Sequence, residues 1–536
     1  MPLTNFSRRK QMNKKFYITT PIYYPSNKLT IGNSYTTVVC DAIARFHRML
    51  GYDVFFLTGT DEHGQKIAKV AKEKGVSEME HLNSIVADTK NLWKSLNISY
   101  DRFIRTTDPD HVSSVKKIFN KLYEKGEIYK TRYTGKYCVP CESFWSDGQL
   151  VNGKCPDCGR DVIDSDEECY NFRLSKYTEK INELYAKNPS FLQPQNRVNE
   201  MVNNFLSEGL KDLCVSRKSV KWGIPVDFDQ DHTIYVWIDA LSNYITALGY
   251  MSDDDSLFKK FWPADVHVVG KEIVRFHAII WPAILMALDL PLPKEIFGHG
   301  WLLFNNDKLS KSKETGKKEV IDPRILIENY GSDSIRNFLI GEINFGNDGP
   351  YSQESFLLSF NTNLANTIGN VASRTLGMLE KYTDGIIPAI NSLSNIDSEF
   401  KEKVVDLKKK CINEMIALRP TQSYKAALEI LEICNRYIDD TKPWELAKEG
   451  KTAEVETFLN LLANAQLEAY VLLLPFLPEK LPLVFEKFGT NVSKNIDENN
   501  SFNLLKAGIK VEKGENLFNR LDIKKELEKL NLIANS

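Results

Sequence analysis

The stretch from Phe16 to Leu57 constrains this chain more than any other. Phe16-Tyr17-Ile18-Thr19-Thr20 is β-branched and aromatic and stops at Pro21, the pattern of a buried strand. After a loop through Pro25, Ser26 and Asn27, apolar residues recur at helical spacing: Val38, Ala42, Ile43, Phe46, Met49 and Leu50. Gly51 closes that helix, and Val54-Phe55-Phe56-Leu57 predicts a second strand. Strand, loop, helix and strand in this order open a parallel α/β sheet. Ligands of such sheets bind at the carboxyl ends of the strands, where a helix N-terminus offers unpaired N–H groups. The loop 21–34, PIYYPSNKLTIGNS, is therefore the first candidate site, although taken alone its Pro and Gly also suit an ordinary turn.

A chain of 536 residues is too long for one compact core, and roughly two to four domains are expected. From Thr131 to Pro225 the pattern shifts to short segments rich in Cys, Gly, Asp and Asn, which reads as an insertion. The sheet is expected to resume with Thr233-Ile234-Tyr235-Val236-Trp237 and Val266-His267-Val268-Val269. A further strand near Ile296 leads into Leu302-Leu303-Phe304. Beyond residue 325 helical periodicity takes over, and helices at 356–380, 397–418, 422–440 and 453–475 predict a bundle. Asn491 to Asn500 is polar and reads as a loose tail, before a last charged helix from Asp522 to Leu532.

The formal charge of -2 lacks the basic excess of a dedicated nucleic-acid binder, so any such contact falls to local patches. The candidates are Lys308, Lys311, Lys313, Lys317 and Lys318, and the run Lys408, Lys409 and Lys410, for which a solvated face is the ordinary reading. The first fifteen residues have no apolar core of a secretory signal; Ser7, Arg8, Arg9 and Lys10 leave an organellar leader open. The longest apolar stretch, Phe276 to Leu288, contains His277 and Pro282 and is too short to cross a bilayer. A cytoplasmic protein with no membrane partner is expected, an organellar one being the alternative.

Cys138-Val139-Pro140-Cys141 and Cys155-Pro156-Asp157-Cys158 form two Cys-x2-Cys pairs thirteen residues apart. Four thiolates in paired knuckles, with Gly153 and Gly159 close by, are the set expected for one structural Zn2+, against the alternatives of free thiols or an iron–sulfur cluster. Such a site keeps no open ligand position and folds the insertion rather than doing chemistry. Cys40, Cys169, Cys214, Cys411 and Cys434 lack this spacing and read as core residues. Gly298-His299-Gly300 and Lys308-Leu309-Ser310-Lys311-Ser312 lie roughly 280 residues after the first loop. Two lysines flanked by serines, on a stretch ending at Gly316, suit a loop that closes over a polyphosphate and neutralises charge during displacement at phosphorus.

At this point the chain resembles a known family over nearly its whole length. TPIYYPSNKLTIGNSYT resembles the HIGH-signature region of class I aminoacyl-tRNA synthetases, KLSKS resembles their KMSKS signature, and GYDVFFLTGTDEHGQK is similar to the methionyl members in particular. The resemblance implies an α/β Rossmann-type catalytic domain with an inserted zinc-binding connective domain, followed by an all-α helical-bundle anticodon-binding domain. The expected order is an N-terminal extension at 1–13, the catalytic halves at 14–130 and 226–304, and the insertion at 131–225. The signature loop and linker at 305–355, the bundle at 356–490 and a tail with helix at 491–536 complete it.

It further implies that the chain activates methionine with ATP to methionyl-adenylate, with Mg2+ accompanying the ATP, and transfers methionyl to tRNA(Met). Catalytic roles fall to Thr30, Asn33, Lys308 and Lys311, and ATP contacts to these with Gly32, Gly270, Glu272, Gly298, His299 and Gly300. The methionine site is expected from Ile22, Tyr24, Trp237, Ala240, Leu241, Tyr244, Ile273 and His277, with Asp61 meeting the substrate ammonium. Aromatic and aliphatic walls suit a polarizable thioether. Asn370 and Arg374, at i and i+4 on one helix face, and Trp444, in NRYIDDTKPW, resemble the family's reader of the anticodon.

One departure is plain: where the family usually has His-Ile-Gly-His, this chain has Thr30-Ile31-Gly32-Asn33. Thr and Asn can still donate hydrogen bonds to phosphate, though neither carries charge. Two other readings therefore stand beside the first: a different class I synthetase, and an inactive tRNA-binding paralogue. Synthetases for isoleucine, valine and leucine carry a large editing domain where this chain has about 95 residues of cysteine-bearing insertion. The chain ends soon after the bundle, and a monomer is expected.

Overall fold

The computed structural model describes residues 14–139, 143–145, 147–156, 158–304, 307–308, 322–493 and 495–535. Its first strand, β1 (Lys15–Tyr23), runs two residues beyond Pro21. The register against β2 (Asp53–Thr60) shifts between Thr19 and Ile22, because proline has no N–H to give the ladder. The strand expected to stop at Pro21 therefore continues through a bulge. Between these strands lies α1 (Ile31–Met49), with Thr30 at its N-cap. Next come β3 (Arg102–Arg105), then β4 (Ile128–Cys138), β5 (Ser143–Trp145), β6 (Ile163–Phe172), β7 (Leu192–Gln193), β8 (Val266–Gly270) and β9 (Glu295–His299).

Six of these form one parallel sheet in the order β3-β2-β1-β8-β9-β7. The chain leaves β1 in one direction through β2 and β3 and returns on its other side through β8 and β9. The strand order thus reverses between β1 and β8, the place where such sheets open a crevice at their carboxyl edge. Gly59 in β2 lies so close to β3 that a Cβ there would sit 2.0 Å from the Ile104 carbonyl oxygen.

Two expectations about the second half are corrected. Residues 233–237 do not rejoin the parallel sheet: Asp229–Ile234 pairs antiparallel with Ser216–Arg217 and Pro225–Val226, and a helix, α2 (Val236–Thr246), starts at Val236. A short β-branched and aromatic run cannot by its composition say whether it ends as strand or helix, and here tertiary packing decides. The insertion, too, is not one continuous excursion, because β7 inside it joins the edge of the parallel sheet. Its main body is a long antiparallel ladder of β4 and β6, flanked by β5 and by Leu213–Cys214.

The helical region contains α3 (Asn370–Thr383), α4 (Asn395–Ile416), α5 (Pro420–Thr441) and α6 (Thr452–Leu473). It is joined to the sheet region by a buried ion pair, Arg336 Nη2 to Asp41 Oδ2 at 2.8 Å. The same guanidinium donates to the carbonyl oxygens of Phe476 and Pro475, so none of its charge is left bare. The tail is not loose. Ile496 N–H donates to Met49 O, and Leu505, Val511, Leu517 and Phe518 are buried. The last helix, α7 (Ile523–Asn535), docks through buried Leu530 and a Tyr330 hydroxyl donated to Glu526. Lys408 is no part of a solvated face either: it is buried, bonds Glu468 at 2.8 Å and donates to Asn500 O. Lys409 and Lys410 are exposed. Buried apolar side chains, dispersed along a polar tail, gave too weak a periodicity to signal this docking. Among the described residues no helix is long and apolar enough to cross a membrane.

Candidate functional site

At the strand-order reversal opens a cavity of about 220 Å³. It brings together Ile22 and Tyr24 from the bulged end of β1, Asp61 from the end of β2, and Trp237, Ala240, Leu241 and Tyr244 from α2. Ile273 and His277 complete it, so all nine residues expected around methionine line one space. Pro21, Lys66 and Val236 line it as well and were not anticipated. The bulge matters here, because it re-aims the chain after Thr19 and turns Ile22 and Tyr24 to the cavity. On α2 the lining residues follow helical spacing, one face towards the cavity.

The wall is held in a fixed hydrogen-bonding state. His277 donates its Nδ1–H to Ile273 O at 2.9 Å, which leaves Nε2 as acceptor for the Tyr244 hydroxyl at 2.7 Å. Burial pushes the His277 pKa down to about 4, so the ring is neutral at physiological pH. Phe276–Ile280 is a π-helical turn, a local widening that commonly marks functional positions. Behind the wall Phe276 stacks on Trp237 with ring centres 3.5 Å apart and planes 7° from parallel.

Asp61 sits on a loop braced from below. Its N–H donates to Tyr23 O, and the next residue, Glu62, is fully buried. That carboxylate accepts from the Thr60 and Thr107 hydroxyls at 2.6 Å each and from Arg105 Nε at 2.8 Å. Trp222 Nε1 donates to Glu62 O. On the other side of α2, buried Asp239 joins His63 at 2.6 Å and His111 at 2.7 Å, and these two histidines favour its charged form and lower its pKa despite burial. Glu62, His63, Asp239 and His111 were not singled out from the sequence. A charged residue inside an otherwise apolar run, such as Asp239 in VWIDALSNY, was the available signal.

The residues expected around ATP gather along the neighbouring edge. Thr30 N–H donates to Asn33 Oδ1 at 3.0 Å, and the Thr30 hydroxyl points to the same atom at 3.2 Å. Since an N–H can only donate, the oxygen of the Asn33 amide is fixed there and its NH2 is the donor left for a ligand. The Thr30 hydroxyl proton is thus engaged with Asn33 rather than offered outward. Gly270 ends β8, and a Cβ on it would meet Glu272 Oε2 at 2.5 Å; Glu272 accepts from Trp301 Nε1 at 2.6 Å. Gly298 and His299 close β9. His299 donates Nδ1–H to Gly300 O and accepts from Thr36 of α1, tying the ends of β9 and α1 together. Gly300 has no room for a side chain, a Cβ falling 2.2 Å from the Asn347 carbonyl carbon. The backbone of Lys308 pairs with Leu303, while its side chain and all of Lys311 lie outside the described residues.

In the insertion the sulfurs of Cys138, Cys155 and Cys158 lie within 4.8 Å of one another, Cys138 and Cys158 at 3.6 Å. Tetrahedral thiolates about 2.3 Å from zinc are separated by roughly 3.8 Å, so the spacing suits a metal. Cys141 lies outside the described residues. The remaining five cysteines are buried. On the helical region Arg374 bonds Asn435 at 2.7 Å and Asp439 at 3.1 Å, Asn370 is exposed on the same helix, and Trp444 is 40% exposed.

A parallel sheet whose order reverses at an apolar cavity with a carboxylate in its lining, beside a helix N-terminus, is a Rossmann-type arrangement with its ligand crevice at the carboxyl edge. A family model described as tRNA synthetases class I (M) matches residues 16–169 and 163–376. Methionine--tRNA ligase from Clostridium acetobutylicum is 52% identical over 522 residues, 97% of this chain and 80% of that protein. The same-named protein of Caldanaerobacter subterraneus subsp. tengcongensis is 54% identical over 520 residues, 97% and 81% of the two. Mycobacterium tuberculosis methionyl-tRNA synthetase in complex with methionyl-adenylate has a TM-score of 0.89 at 37% identity, over 95% of this chain and 100% of that one. Its apo form gives 0.83 at 34%, over 95% and 99%. The chain belongs to the class I tRNA synthetases of the methionyl family.

Proposed function

We propose that this chain activates methionine with ATP and charges tRNA(Met). The observation that carries this reading is the cavity at the reversal of the sheet, with all nine anticipated residues, Asp61 among them, in its lining. Ile22, Trp237, Ala240, Leu241 and Ile273 meet the thioether chain, and Asp61 meets the ammonium. This aims the carboxylate towards the edge held by Gly270, Glu272 and His299. The carboxylate oxygen attacks the α-phosphorus in line and pyrophosphate leaves. The terminal ribose hydroxyl of the tRNA then attacks the adenylate carbonyl, forming the ester and releasing AMP. No side-chain nucleophile is needed; the protein positions and offsets charge. Mg2+ brought in with the ATP would offset the charge of its phosphates. Lys308 and Lys311 add positive charge, and the Asn33 amide and the first N–H groups of α1 donate to phosphate oxygens.

Cys138, Cys141, Cys155 and Cys158 hold a structural Zn2+ that folds the insertion. Thiolates of this kind persist in a reducing compartment, which supports a cytoplasmic location. Exposed Asn370 and Trp444, with half-buried Arg374, read the anticodon loop. One chain supplies the cavity, the cysteine cluster and the helical face, which supports a monomer.

Loss of both signature histidines favours one second reading, an inactive paralogue. Purified chain loaded with zinc is expected to catalyse methionine-dependent ATP–pyrophosphate exchange and to ignore leucine, valine and isoleucine. A parent without exchange that Thr30→His with Asn33→His revives would sink the role given to neutral donors. Exchange with another amino acid instead would overturn the substrate.

A further inference from the structure

Arg275 stands where the insertion meets the wall of the cavity. Its guanidinium carbon lies 4.4 Å from the ring centre of Trp145, 4.6 Å from that of Phe276 and 5.2 Å from that of Phe205. The three rings come from three separate segments: β5 of the insertion, the turn beside His277, and the π-helical turn Val202–Leu206. Trp145 in turn is buried against Cys138 and Cys155. Phe276 is the ring that stacks on Trp237. A continuous line of contacts therefore runs from the cysteine cluster through Trp145, Arg275 and Phe276 to a ring that lines the cavity.

Two observations show that the far end of this line depends on the near one. The indole N–H of Trp237 is buried with no hydrogen-bond partner among the described residues, so no polar contact orients that ring and stacking must. On the insertion side of Phe276 lies a second cavity, about 320 Å³, bounded by Phe205, Leu210, Ile279 and Arg275. Phe276 thus has two places to go: flat against Trp237, or into that space. The guanidinium, packed on the faces of Phe276, Trp145 and Phe205, favours the first, since a planar cation between rings gains from each face at once.

We infer that Arg275 is a positioning residue for methionine, a wedge between the insertion and Phe276 that keeps Trp237 in its binding orientation. This rests on the reading of the first cavity as the methionine site. It touches no substrate and acts through two aromatic rings. Its loss should weaken methionine binding more than ATP binding, because the rings it packs on lead to Trp237 and none of them is among the residues expected around ATP.

The test is a double-mutant cycle on the full-length, zinc-replete chain with Arg275→Met and Trp145→Leu. Exchange kinetics give KM for methionine and for ATP separately, calorimetry gives methionine affinity without turnover, and bound zinc per chain monitors the insertion. Arg275→Met is expected to weaken methionine binding by about tenfold, the scale of one or two desolvated cation–π contacts, with KM for ATP and zinc content unchanged. Arg275→Lys should fall between. The double variant should lose less than the product of the single losses. Equal losses for methionine and ATP, unaltered methionine affinity, or multiplicative losses would each overturn the wedge. Should Trp145→Leu lose zinc, Phe205→Leu replaces it in the cycle under the same criteria. A parent inactive with methionine would instead strike at the function itself.

Discussion

Replacing Tyr244 by Phe removes one hydroxyl, and the geometry fixes where the cost falls. His277 Nε2 accepts that hydroxyl at 2.7 Å, and it has no other choice because Nδ1 carries the proton given to Ile273 O. The tyrosine ring keeps its packing on His267, with ring centres 4.2 Å apart, so shape is almost unchanged. What remains is a buried acceptor without a donor, worth about 1–3 kcal/mol. In the free variant a water entering the cavity beside the shortened side chain can satisfy that acceptor. Methionine must expel it, so the cost moves from folding into binding. KM for methionine should rise roughly 5- to 150-fold, the range those energies convert to. KM for ATP and the melting temperature should move little. Pyrophosphate exchange at varied methionine and at varied ATP, with a thermal melt of each protein, measures all three. A melting temperature that drops while the methionine KM holds would refute the argument, since the acceptor would then be unsatisfied in both states.

Three further outcomes follow from the same structure. Burial depresses the pKa values of His47 and His277 to about 4 and lowers that of His267, so their neutral forms stabilise the fold above pH 6.5 and that contribution is lost as pH falls towards 4. Asp333 and Glu295, raised to about 6 and about 7 by burial, oppose this in part. The denaturation midpoint should fall between pH 6.5 and 4.5, and a flat or rising midpoint would contradict the histidine assignment. Cys155→Ser should abolish stoichiometric zinc and open residues near 147–161 to protease while the helical region stays resistant, as metal analysis and peptide mapping would record. Trp444→Ala should raise KM for tRNA(Met) by roughly 5- to 150-fold, the scale of one lost base stack, and leave pyrophosphate exchange intact. Equal effects on both steps would give that ring a structural role instead of a place in tRNA recognition.

How far the sequence carried the reader differs from element to element. The opening of the sheet was legible because Phe16–Thr20, α1 and Val54–Leu57 each bury a continuous face, so local pattern and tertiary demand agree. The cysteine cluster was legible because two Cys-x2-Cys pairs at this spacing can fold onto one another, and the sulfurs of Cys138, Cys155 and Cys158 do lie together. Residues 233–237 were misread because Trp237 is apolar for the sake of a cavity, not of a strand. The segment 491–500 was misread because its anchor, Ile496, is a single apolar residue in polar surroundings that matches no period. The braces under Asp61 were barely legible: Glu62 looks like a surface carboxylate until Arg105 closes on it, and only the apolar run around Asp239 hints at its burial against His63 and His111.

That division bears on the altered signature at Thr30 and Asn33. A histidine pair there would bring rings whose charge depends on pH, whereas Thr30 and Asn33 bring a preset geometry: the amide oxygen is tied to the N-cap N–H, which leaves the NH2 as the donor. A donor already held in place contributes to transition-state charge without reorganising. Positive charge must then come from Lys308 and Lys311. Catalysis by such a site should lack a histidine-like pH limb in kcat between pH 6 and 8. A chain with Asn33→His should acquire one, because its imidazole ordinarily titrates close to pH 6.5. If the parent already shows that limb, a histidine elsewhere, such as His299, which accepts from Thr36 of α1, governs activation, and the neutral donors are bystanders.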